Sequence, residues 1–246
     1  MLGATGRHVT VWWGTRKMTF SICHTTARPN GWQESARDWM AKADSPEDVE
    51  YVLCVDERWG FDNYKVDTLF LDAGMGILMA VSAGCRIVWN TGRKCSVDGW
   101  NTAAAGSTGE ILIINSDDMF PPAHWDTELR RVAGDLNRDF VIEVSSGTIH
   151  DQRRLMVLQI LSRVRYERLG YAIYPEYLSM AGDDDFGEHA RHDGVVIEAR
   201  HLIFPHKHAL YENKPYDSVY NHENSSEAVI LGDRILARRR AEGFSR

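Results

Sequence analysis

Apolar and polar positions along this chain follow two rhythms. Thr19–His24 (TFSICH), Tyr51–Val55 (YVLCV), Arg86–Asn90 (RIVWN) and Glu110–Ile114 (EILII) are short, nearly continuous apolar runs with the length and β-branched content of buried strands. After the first run, TTARPNG (25–31) reads as a loop stopped by proline and glycine. Trp32, Ala36, Trp39, Met40 and Ala43 then recur at helical spacing, which predicts a helix with one face on the core. After the third run, TGRK leads into Val97–Ser107, a predicted helix whose alanines allow close approach to a sheet.

The second half is less regular. Phe140–Val144 predicts a strand ending in the Ser145-Ser146-Gly147 turn. Asp151 is placed to cap a long helix through Leu169, with Leu155, Leu158, Leu161 and Val164 as its buried stripe and Gly170 as its stop. GDDDFGEHA (182–190), a strand-like VVIEARHLIF (195–204), the triplet His206-Lys207-His208 and a polar, helical tail follow.

Strands alternating with helices, and strands apolar along their whole length, predict an α/β fold: a mostly parallel central sheet flanked by helices on both faces. In such sheets ligands bind at the carboxyl ends of the strands. Here those ends are polar: His24-Thr25, Asp56-Glu57, Asn90-Thr91 and Asn115 to Asp118.

Length and composition narrow the class. At 246 residues and 43% hydrophobic, the chain can bury a sizeable core. The longest apolar stretch, Leu69–Ala83, is broken by Asp72, Gly74 and Gly76, and no transmembrane segment is predicted. Residues 1–17 lack the apolar block of a secretory signal and read as a loose leader. Cys23, Cys54, Cys85 and Cys95 are widely spaced, as expected of buried free thiols in a cytoplasmic protein. A net charge of −7 argues against a nucleic-acid polymer as partner. The basic cluster Arg238–Arg240 reads as the solvated last turn of a helix.

Three clusters have chemical promise. In INSDDMFPPAHWD (114–126), Asp117 and Asp118 directly follow the aliphatic run. Carboxylates at the end of a buried strand are costly unless paired, hydrogen-bonded or bound to a cation, and Mg2+ or Mn2+ prefers such oxygens. The plainer alternative is that Ser116 and Asp118 cap the turn into Pro121-Pro122. Asp183, Asp184 and Asp185 form a second acidic cluster, and His206 and His208 would share one side of an extended chain. Together they offer a metal, a general base and a further ligand. Arg93 and Lys94, in the loop before a helix, would add positive charge for a phosphate or form an ordinary solvated turn. Trp100, Trp125, Tyr174 and Tyr177 are candidate sugar platforms or core.

In order along the chain, HTTARP, VLCVDE, NTGRKCSVDGWNTAAAGSTGEILIINSDDMFPP, and GDDDFGEHA followed by FPHKH resemble the landmarks of nucleotide-sugar-dependent glycosyltransferases of the GT-A fold, family-2 type. The resemblance covers about residues 18–210: a nucleotide-binding half to about 120, an acceptor half from 121 to 210, then a helical tail at 211–246. It implies that Thr25, Ala27, Arg28, Pro29 and Asp56 bind the donor nucleoside, with Arg93, Asn101, Asn115 and Ser116 also in the donor site. The family's Asp-any-Asp metal motif falls on Asn115-Ser116-Asp117, with Asn115 in place of the first acid. Asp117, Asp118, His206 and His208 are then the candidate ligands of Mn2+ or Mg2+, and Asp184 or Asp183 the base of an inverting transfer. The implied partners are a nucleotide-diphospho-sugar donor and an acceptor hydroxyl on a glycan, lipid or small molecule. A nucleotidyltransferase and a non-catalytic nucleotide-sugar or protein-binding module are the alternatives. A nucleotidyltransferase commonly carries a Gly-rich loop after the first strand, and TTARPNG has one glycine.

Overall fold

The computed structural model describes residues 19–28, 31–56, 85–93, 95–212 and 215–245. The leader at 1–17, the apolar stretch 69–83, Pro29, Glu57 and Lys94 lie outside them, and of Asp56 only the backbone is described. The elements in order are β1 (Phe20–Thr26), α1 (Trp32–Ala41), β2 (Val49–Asp56), β3 (Cys85–Asn90), α2 (Ser96–Ala105), β4 (Ile111–Asn115), α3 (Trp125–Ala133), β5 (Val141–Ser145), β6 (Gln159–Ser162), α4 (Arg163–Leu169), α5 (Gly182–His192) and β7 (Val196–Ile203). Helices α6 (Ala209–Glu212), α7 (Ser218–Glu223) and α8 (Ser226–Ala241) complete the chain.

Seven strands form one sheet in the order β3-β2-β1-β4-β6-β5-β7. Pairings β1·β2, β1·β4, β2·β3 and β5·β7 are parallel, and β6 runs antiparallel to both neighbours. The mostly parallel sheet expected from the strand pattern is therefore present. Strand β4, the aliphatic run, lies near the centre with Ile111, Leu112 and Ile113 fully buried, because helices cover both faces and leave no polar side for alternation. One core holds the α1 and α3 tryptophans Trp39 and Trp125 in edge-to-face contact at 4.9 Å. The other holds the small-residue α2 with Val52, Leu112 and Ile114. All four cysteines are buried, and none is in a disulfide among the described residues.

The expected long helix at 151–169 is not there. Leu158 and Leu161 belong to a buried stretch whose strand, β6, ends at Ser162, and a helix begins only where the Ser162 hydroxyl accepts a hydrogen bond from the Arg165 amide. A spacing of three also fits a short, wholly buried strand, which periodicity cannot separate from a buried helix. Asp151 caps the β5 turn instead, accepting from the Ser145 hydroxyl at 2.6 Å and the Ser146 and Gly147 amides at 2.9 and 3.0 Å.

The tail is packed, not appended. Arg238–Arg240 form the last turn of α8 as expected, and Arg238 and Arg240 are exposed and pair with Glu176 and Glu188, but Arg239 is fully buried and donates to Asp185 at 3.0 Å, so that residue is not solvated. At Gly232 a Cβ would stand 2.4 Å from the Met180 carbonyl oxygen, so glycine lets α8 press against the turn that precedes α5. Among the described residues, no helix is long and apolar enough to cross a membrane.

Candidate functional site

A cleft of about 950 Å³ opens where β1 and β4 end, and the first turn of α5 and residues from 206–210 and 215–224 help line it. Its floor is built by close approach. A Cβ on Gly99 would fall 2.0 Å from Thr25 Oγ1, so only glycine lets α2 lie against the end of β1. Thr25, Ala27 and Arg28 line the cleft, as do Ser116, Asp117 and Asp118.

The two adjacent aspartates face different partners. Asp117 accepts hydrogen bonds from His24 Nε2 at 2.9 Å, Arg28 Nη1 at 3.1 Å and Thr26 Oγ1 at 3.2 Å. His24 is fully buried, and its other ring nitrogen meets the Tyr51 hydroxyl and, at 3.1 Å, the Asn115 amide. Asp118 accepts from Ser116 Oγ at 2.6 Å and His206 Nε2 at 3.2 Å. Burial pushes the Asp118 carboxyl up, but the His206 hydrogen bond and charge and the Ser116 hydroxyl outweigh it and hold the group well below the usual carboxylate range.

Backbone pairing makes the Asp118–His206 contact across 88 residues. Met119 and His206 form an isolated antiparallel bridge, the Lys207 amide donates to the Asp118 carbonyl at 2.8 Å, and the Phe120 amide donates to the Pro205 carbonyl at 3.0 Å. His206 and His208 rings lie 5.0 Å apart, so the H-x-H pair stays together. Among the described residues, no three His, Cys, Asp or Glu side chains are already gathered as a metal cage. The donor set still fits Mg2+ or Mn2+: such ions use one or two protein ligands and fill the rest with substrate phosphate and water. His206 Nδ1 is moreover buried without a hydrogen-bond partner.

On the far side of the cleft, Asp183, Asp184 and Asp185 form the first turn of α5, entered through Ala181 in the left-handed conformation at φ 65°. A non-glycine residue there is strained by about 1–2 kcal/mol. Asp185 turns inward to Arg239 and the Tyr177 hydroxyl. Asp183 and Asp184 line the cleft. Burial, reinforced by the Asp184 charge, pushes the Asp183 carboxyl up to about 6. Burial also raises Asp184, opposed by Arg153, whose guanidinium lies 3.8 Å away.

Other candidates are placed elsewhere. Asn115 is fully buried below the floor, donating to Ser35 Oγ and the Tyr51 hydroxyl, with its Oδ1 unpartnered. Asn101 clips the chain at Ala172 and Ile173, accepting both amides and donating to the Ile173 carbonyl. Arg93 donates to Asp98 and to the carbonyls of Pro175, Glu176 and Tyr177, tying two loops together. Of the proposed sugar platforms, Trp125 and Tyr177 are core; Trp100 lines the cleft but spends its indole N–H on the Asn115 carbonyl at 2.7 Å, and Tyr174 lies under the Arg239 guanidinium at 4.0 Å.

Sequence reasoning missed several residues of the site. His24 looked like the end of a strand. Asp217 receives Arg28 through two hydrogen bonds of 2.6 and 3.0 Å, and Glu223 receives Ser96 Oγ at 2.8 Å. These pairs span 189 and 127 residues, and no local signal marks them.

No protein-family model matches the sequence, and neither does any curated protein sequence. Solved structures do match. A mannosyltransferase from Pyrobaculum calidifontis, solved with GDP-Man and Mn2+, superposes with a TM-score of 0.57 at 15% identity, over 92% of this chain and 76% of its own. TarS residues 1–349 from S. aureus gives 0.60 at 13%, over 92% and 74%. Glucosyl-3-phosphoglycerate synthase from Mycobacterium tuberculosis, solved with Mn2+, UDP-glucose and phosphoglyceric acid, gives 0.52 at 12%, over 80% and 74%.

Proposed function

From the GT-A fold that this chain shares with nucleotide-diphospho-sugar transferases, we propose that the cleft moves a sugar from a nucleoside-diphosphate donor to an acceptor hydroxyl, with cation assistance and inversion. One observation carries the reading: a carboxylate held charged beside a histidine (Asp118–His206) faces the same cleft as a carboxyl pair held toward neutrality (Asp183 and Asp184). Groups pushed apart in this way are suited to separate tasks, one binding a cation and one taking a proton.

Asp118 and His206 are the residues that would hold Mn2+ or Mg2+, with His208 behind them. Such an ion, when bound, neutralises charge developing on the leaving diphosphate. Thr25, Ala27 and Ser116 line the donor side. Arg28, which lines the cleft and is oriented by Asp117, would supply positive charge for a phosphate, and His24 holds Asp117 from below. Asp184 accepts the proton of the acceptor hydroxyl as its oxygen bonds to the anomeric carbon and the carbon–diphosphate bond breaks.

The test is release of nucleoside diphosphate from UDP- and GDP-sugars, with and without Mn2+, alongside thermal shift against the same compounds. Metal-dependent stabilisation and release support the proposal. Stabilisation by a nucleoside triphosphate with pyrophosphate release would replace it with nucleotidyl transfer, and no response to any compound would sink it.

A further inference from the structure

A row of rings runs outward from the Asp118–His206 pair: His206, His208 and Tyr220 line the cleft, and Tyr211 and Tyr216 carry the row on past its rim. His206 and His208 lie 5.0 Å apart, and His208 is 5.4 Å from Tyr220 and 5.8 Å from Tyr211. Tyr216 stacks on Tyr220 at 4.1 Å with planes 9° apart, and the Tyr211 hydroxyl meets His150 Nε2 at 3.0 Å. The row begins at Asp118 and ends in solvent, where Tyr211 is 39% and Tyr216 45% exposed. None of these rings belongs to the two buried clusters of described residues, so core packing does not account for them.

We propose that the acceptor is a neutral carbohydrate, bound along this row from the cleft outward by stacking of its C–H faces on Tyr211 and on the Tyr216–Tyr220 pair. This deepens the glycosyltransferase reading and rests on it for the word acceptor. A pyranose has an apolar C–H face and a rim of hydroxyls. A tyrosine offers the complementary surface, with an apolar ring and a hydroxyl that donates and accepts. The two branches meeting at His208 give two stacking positions, which suits an oligosaccharide better than a single sugar. Position favours the acceptor role. The turn Ile149–Arg153 carries His150 against Tyr211 and Arg153 against Asp184, so a sugar on Tyr211 lies one turn from the proposed base.

The test is saturation-transfer NMR on the full chain with cello-, manno- and chito-oligosaccharides and with octyl glucoside, without donor. Saturation of sugar ring protons of at least one oligosaccharide is expected. Tyr211→Ala and Tyr216→Ala should each weaken that binding by roughly tenfold, the scale of one lost aromatic contact, whereas Tyr211→Phe keeps most of it. The inference is overturned if no oligosaccharide binds, if both alanine variants bind as wild type does, or if the signal follows the octyl chain. Thermal shift with nucleoside diphosphate and Mn2+ is run in parallel. Oligosaccharide binding without nucleotide binding would keep the carbohydrate row and remove the transferase reading.

Discussion

The turn after β4 and the first turn of α5 each string acidic residues along consecutive positions, yet their surroundings treat charge in opposite ways. Asp117 and Asp118 lie among His24, Arg28 and His206, and Asp118 is held ionised. Asp183 and Asp184 have burial against them, and backbone amides, the Arg240 charge and Arg153 at 3.8 Å from Asp184 do not offset it, so their protons are held more tightly. Asp185, next in line, needs the buried Arg239. A run of carboxylates therefore has no chemistry of its own. The cations brought to it from elsewhere in the chain decide whether it holds a metal and a diphosphate or accepts a proton.

Perturbing either side should separate the two. The largest effect is expected from Asp184→Asn, which removes the proton acceptor: transfer should fall by roughly 10²–10⁴-fold while nucleotide-dependent thermal stabilisation is kept. Unchanged transfer in that variant would return the base to Asp183. Next is Arg239→Met, which strands Asp185 in the core and should cost about 3–5 kcal/mol in urea unfolding. A loss under about 1 kcal/mol would show that Asp185 is relieved by protonation or water.

Asp118→Ala should weaken Mn2+-dependent nucleotide binding by roughly 10–100-fold in a thermal-shift titration. Asp117→Ala should weaken donor binding less and leave the metal titration nearly in place. The reverse order would exchange their roles.

The pH dependence follows from Asp183. Folding raises this carboxyl to about 6, so the folded state holds the proton more tightly than the unfolded chain. Its contribution to stability is present at low pH and lost as pH rises from the ordinary carboxylate range to about 6. Activity runs the opposite way: the rate should fall on the acid side as Asp184, whose carboxyl burial also raises, is protonated, and Asp183→Asn should shift that limb. The smallest effect is expected at the cleft rim. Asp217→Asn frees Arg28 from an exposed ion pair and should tighten nucleoside-diphosphate binding by up to about threefold in calorimetry.

Much of the first half was legible along the chain. Strands β1 to β4 and helices α1 and α2 were readable because a strand buried on both faces must be apolar throughout, and a helix on a sheet must show its apolar stripe. The polar strand ends located the cleft for the same reason: the apolar run stops where burial stops. The second half misled at residues 151–169, where spacing alone could not tell a buried strand from a buried helix.

What the chain determined by itself was thus the central sheet, the place of the acidic turn at the end of β4, and the residue types available to the cleft. Only the tertiary structure decided how they are used. His24 reaches Asp117 across 93 residues, His206 reaches Asp118 across 88, and Arg239 reaches Asp185 across 54. These pairings, together with burial, set the charge of Asp118 and Asp185, and they depend on which strands and helices become neighbours. Local pattern reports whether a position is apolar; it holds no record of which distant cation will sit beside an acid.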